Sequence, residues 1–117
     1  MSRVVAVTRL AEDDLGAHIV YLANEAEVET AIRFDTAVFD SFEMLIETPF
    51  AGVERPYSNR LLSGLRMWFV HGFERYLIFY RVEDRRILIV RVLHSSRDIA
   101  GIFSDGYLEY DRANNDP

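Results

Sequence analysis

Arg66, Arg81 and Arg91 fall one on each of three successive apolar segments, and Arg97 follows His94 by three residues. Arginine stays charged at any working pH, and its planar fork of donors matches phosphate or carboxylate. Gathered on one sheet face, the three strand arginines would steady a pentavalent phosphate. Cleavage of RNA through its 2′-hydroxyl would also need a group to move protons, from His94, His71, Glu74 or Tyr107. The competing reading is structural. Charges set in apolar strands require partners, so Arg81 and Arg91 would snorkel or pair with acidic side chains. On that weighing Arg81 and Arg91 stand as a candidate anion site, and no residue is assigned a catalytic role.

Composition removes several chemistries. The chain of 117 residues has 13 basic residues, all arginine, and no cysteine. Lysine bases, thiolate nucleophiles, disulfides and cysteine-held zinc are excluded. No His and carboxylate spacing suits a metal, and no cofactor is expected. A formal charge of −6 argues against indiscriminate binding along a phosphate backbone, though not against a small local basic patch. No apolar run reaches the ~18 residues of a membrane span. The first ten residues lack the long apolar core of a signal peptide. Both point to a cytoplasmic protein.

The elements that position these residues are legible from pattern. Arg3–Val7 reads as a strand. Thr8 offers a hydroxyl cap to a helix over Arg9–Asn24, whose Glu12, Asp13 and Asp14 complement its positive end. Ala11, Leu15, Ile19, Leu22 and Ala26 give that helix one apolar stripe. A second helix over Glu27–Glu47 carries Val28, Ala31, Ile32, Val38, Phe39, Phe42, Leu45 and Ile46, with Phe39 expected to pack beside Leu15, Ile19 and Leu22. Pro49 stops it. Residues 49 to 63 read as a loop, then Leu65–Val70 as a strand. His71-Gly72 is a tight turn, and Tyr76–Val82 and Ile87–Leu93 form a hairpin around Glu83-Asp84-Arg85-Arg86. Arg97–Phe103 can make one or two helical turns, and residues 105–117 form a polar tail. The order β-α-α-β-β-β predicts an α+β fold: a mainly antiparallel sheet with a helical hairpin on one face. Residues 1–104 make a single domain.

Register decides whether the arginines meet. With His71-Gly72 as a two-residue turn, Arg66 faces the same way as Leu77, Phe79 and Arg81. With Asp84-Arg85 as a second such turn, Arg81 lies opposite Leu88 and Arg91 falls on the other face beside Ile78. A one-residue shift would bring Arg81 and Arg91 together.

The ordered set of motifs resembles the ParE/RelE superfamily of toxins from bacterial toxin–antitoxin pairs. It consists of Ala11, Asp13, Asp14 and Leu15 with Ile19 and Tyr21; Pro49 and Gly52; Gly64-Leu65-Arg66; Tyr76-Leu77-Ile78-Phe79-Tyr80-Arg81-Val82; Val90-Arg91-Val92-Leu93-His94; and Arg97-Asp98-Ile99. The leucine-histidine-x-x-arginine-aspartate ending looks like the ParE branch. That branch implies a non-enzymatic toxin that binds DNA gyrase and is held inactive by a ParD-like antitoxin, with a homodimer or a hetero-oligomer both left open. The RelE branch implies ribosome-dependent mRNA cleavage, and the lysines several such enzymes use are absent here. A degenerate member would bind only its antitoxin. For contacts with the target, the resemblance and the residue types together select Arg66, Trp68, His94 and Arg97.

Overall fold

A computed structural model describes residues 3–56 and 62–103. The chain runs β1 (Val4–Val7), α1 (Arg9–Glu25), α2 (Val28–Glu47), β2 (Val53–Glu54), β3 (Arg66–Val70), β4 (Phe73–Val82), β5 (Arg86–His94) and α3 (Ile99–Ile102). Thr8 caps α1 as its hydroxyl predicts, accepting the Ala11 N–H at 3.1 Å. The predicted tail and Tyr107 lie outside the described residues.

The five strands form one sheet in the order β1-β5-β4-β3-β2. The sheet is mixed, which corrects the antiparallel expectation at one edge: β1 runs parallel to β5, with Val4 opposite Arg86 and Val7 opposite Ile89. The intervening helices supply the long crossover that a parallel pair requires. The segment read as a loop after α2 also contains β2, which pairs Val53 with Met67 and Glu54 with Arg66.

The helical hairpin lies on one sheet face as expected. Ala11, Phe34, Val38, Phe42, Leu45, Val70, Tyr76, Ile78, Tyr80, Ile87, Ile89 and Val92 form the core there, with Leu15, Ile19 and Leu22 half-buried against it. On the opposite face Leu62, Leu65, Phe79, Val90, Leu93 and Phe103 make a second cluster, to which α3 adds Ile99 and Ile102. The apolar face drawn for α2 was too wide. Its buried stripe is Ala31, Phe34, Val38, Ser41, Phe42 and Leu45. Phe39 does not pack: it is 60% exposed, as is Ile32, with Val28 at 59%. Ile32 and Phe39 each sit about 100° around the helix from a buried neighbour, Ala31 and Val38, and Val28 lies in the first turn before the stripe begins.

Two irregularities settle the register. Asp84-Arg85 is a two-residue turn, and Arg81 lies opposite Leu88. A bulge at Phe79/Tyr80 then places Arg91 opposite Phe79, one residue from the Ile78 rung that uniform pairing gives. His71-Gly72 also turns tightly, with Gly72 at φ 82° and Val70 opposite Phe73. Beyond it the β3–β4 pairing shifts, so that Phe69 meets Leu77 and Arg66 meets Tyr80. An odd shift flips faces. Arg66 therefore shares a face with Ile78 and Tyr80, and not with Leu77, Phe79 and Arg81.

Candidate functional site

Each strand arginine is held by its own partner. Arg81 pairs with Glu83 at 3.1 Å beside the turn, where Arg86 also binds Glu83 at 2.6 Å. Burial raises the Glu83 pKa, but the hydrogen bonds from Arg86 and Arg81 outweigh it and leave the carboxyl below its ordinary value. Arg91 forms a bidentate pair with Asp14 of α1, at 2.7 and 2.8 Å. Arg66 donates to the Gly52 carbonyl at 2.8 Å, lies 3.8 Å from Glu54 and stands over the Phe50 ring at 5.0 Å. The arginines proposed as an anion site thus have different carboxylates. Trp68, two residues from Arg66 on β3, is half-buried, stacks on Phe69 at 4.7 Å and lines a groove with Asp40, Ser41, Met44 and His71.

His94 and Arg97 come together elsewhere. β1 covers the edge of β5 only as far as Ile89, and α1 takes over from there. Thr8 Oγ1 donates to the Val90 carbonyl at 2.8 Å. Asp14 accepts the Val92 N–H at 3.0 Å, and His18, one helical turn on, binds the Val92 carbonyl at 2.7 Å. A carbonyl only accepts, so His18 Nε2 carries the proton. Burial lowers the His18 pKa; the Val92 bond and Asp14 oppose this, and His94 and Arg97 add to it. Asp14 thus does more than complement the helix dipole.

This arrangement sets α1 against the end of β5 around a cleft of about 430 Å³ lined by Ala17, His18, Tyr21, Tyr76, His94, Ser96 and Arg97. Tyr76 and His94 face each other across the β4–β5 ladder. The Tyr76 ring stands edge-on to both histidines, with centroids 4.9 Å from His18 and 5.0 Å from His94. The Ser96 N–H donates to His94 Nδ1 at 3.1 Å, so the neutral ring carries its proton on Nε2. The Arg97 N–H donates to the His94 carbonyl at 3.0 Å, anchoring both residues in one turn.

Of the four target-contact candidates, the fold brings together His94 and Arg97 and leaves Arg66 and Trp68 on β3. Tyr76 is buried, as its apolar strand predicts, and His18 ties α1 to the β5 backbone; that both also line a cleft is not legible in the sequence. The spacing of Asp14 and His18, one turn apart on the inner face of α1, was the available signal. Among the described residues no group of three His, Asp or Glu side chains could hold a metal ion. Nor is any helix there long and apolar enough to cross a membrane.

A helical hairpin on a mixed sheet is a fold shared with a chain of the chromosomal ParDE TA system from P. aeruginosa. That similarity has a TM-score of 0.64 and 21% sequence identity, covering 79% of this chain and 95% of the other. A comparison with curated protein sequences found no match. Residues 5–99 match the family of the ParE toxin of type II toxin-antitoxin system, parDE. The chain belongs to the ParE toxin family.

Proposed function

We propose that this ParE-type toxin acts by binding DNA gyrase and stalling it, without a hydrolytic step of its own, and that a ParD-like antitoxin holds it inactive in the cytoplasm. Family membership over residues 5–99 carries the reading. Supporting it, the basic side chains that would neutralise a pentavalent phosphate on the sheet are paired within the chain. The apolar side chains left exposed on α2 (Val28, Ile32 and Phe39) suit an amphipathic antitoxin segment. The purified chain should inhibit supercoiling by gyrase, and equimolar antitoxin should restore it. Full supercoiling at saturating toxin would end the gyrase assignment. Expressed alone, the chain should be poorly soluble or self-associated, and co-expression with the antitoxin should rescue it.

One observation favours the nuclease alternative. The cleft gathers two imidazoles, two phenols and a guanidinium, the group types that acid–base cleavage of RNA uses. That reading predicts mRNA cleavage upon induction, lost in Arg66→Ala or Arg97→Ala. Intact transcripts alongside DNA-damage signalling exclude it.

A further inference from the structure

We propose that the cleft at the end of β5 binds a phosphate group, borne by a free nucleotide or by a nucleic-acid strand, with His94 and Arg97 as its principal contacts. The proposal concerns ligand chemistry and stands whichever macromolecule the toxin stalls.

Among the described residues the polar side chains lining the cleft are His18, Tyr21, Tyr76, His94, Ser96 and Arg97, and none is a carboxylate. In a chain of net charge −6 that local composition favours an anion. The nearby acids are engaged elsewhere. Asp14 is bound by both Arg91 nitrogens and the Val92 N–H, and Asp98 accepts the Gly101 N–H at 3.1 Å.

The histidine donor is held in place. Ser96 fixes His94 through Nδ1, which leaves Nε2–H without a hydrogen-bond partner among the described residues. The edge-on Tyr76 ring limits how the imidazole can rotate. Arg97 is exposed, and its guanidinium has no partner among the described residues, in contrast to Arg66, Arg81 and Arg91. An arginine fork and an imidazole N–H carried on one turn match the oxygens of a phosphate. At about 430 Å³ the space exceeds a phosphate and leaves room for a sugar or base beside Tyr21, which is 59% exposed.

The test is titration of the full-length chain at physiological ionic strength, followed by NMR and calorimetry. The probes are inorganic phosphate, adenosine monophosphate, a short single-stranded oligonucleotide and acetate. Phosphate-bearing probes should perturb His94, Arg97 and Tyr76. Arg97→Ala should weaken the tightest of them roughly tenfold, the loss of one charge-assisted contact. His94→Gln, which keeps a donor, should weaken it less. Arg33→Ala, an equal change in charge on exposed α2, should leave binding within about twofold. Saturation by the monophosphate with no gain for the oligonucleotide identifies a free nucleotide; tighter oligonucleotide binding identifies a strand. The proposal is overturned if no phosphate probe perturbs the cleft, if acetate binds as tightly, or if Arg33→Ala and Arg97→Ala weaken binding alike. Gyrase inhibition without phosphate binding would sink this inference alone, and phosphate binding without gyrase inhibition would sink only the target assignment.

Discussion

The sheet arginines and the cleft at the end of β5 contain the same kinds of side chain in opposite circumstances. Arg91 is bound on both sides of its fork by Asp14, and their side chains are 13% and 10% exposed. Arg97 stands exposed on a turn beside a carboxylate that caps α3. The first arrangement joins α1 to β5 and serves the fold. The second leaves donors aimed at whatever enters. Residue type does not separate a structural cation from a recognition cation; the location of the nearest carboxylate does.

Substitutions can break that contrast. Asp14→Ala should have the largest effect, removing the carboxylate that both Arg91 nitrogens and the Val92 N–H share in a nearly buried site. The cost is about 3 kcal/mol, a fall in Tm on the order of 10 °C in a thermal melt. Next is Tyr80→Phe, since Tyr80 Oη accepts the Gly52 N–H at 2.8 Å and donates to the Pro49 carbonyl at 2.7 Å. Its removal leaves that N–H unsatisfied beside Arg66, at a cost of about 1–2 kcal/mol by chemical denaturation.

A pH series sharpens the boundary between the regions. His18 titrates below its ordinary 6.5 in the folded protein, so the unfolded chain takes up a proton first. Stability should therefore fall as pH drops through 6.5 and level off once the folded ring is also protonated. His18→Gln should flatten that slope. A separate loss should begin below about pH 4.5, where the lowered Glu83 carboxyl still favours the folded state until it too is protonated. Gly16→Ala should raise stability by about 0.5–1 kcal/mol, because a Cβ there meets nothing within 4 Å. Arg97→Ala should change stability least, by under about 0.5 kcal/mol in urea. A large loss there would make Arg97 another structural cation and erase the comparison.

Much of the architecture was legible. Thr8 announced the first cap, the turn residues marked Asp84-Arg85 and His71-Gly72, and two short apolar runs rich in Ile, Val, Tyr and Phe marked the hairpin. What escaped depended on tertiary geometry. Two bulges, at Phe79/Tyr80 and Phe69/Val70, changed which residues share a rung, and nothing local to those apolar runs encodes them. Phe34 was missed as a core anchor while Phe39 was placed inside, because a generous apolar face hides which stripe the sheet contacts. Half of the candidate site, His94 and Arg97, could be named from its motif. His18 and Tyr76 could not, since they reach the cleft only through the docking of α1 on β5.

The polar caps that Thr8, Asp14 and His18 place along β5 also bear on how copies of the chain meet. Past Ile89, where β1 no longer covers it, β5 is capped by side chains that a foreign ribbon would have to displace. At the opposite border the terminal strand is only Val53–Glu54, too short to template much pairing. The side-chain caps thereby keep the stretch of β5 richest in valine from pairing with another copy of itself.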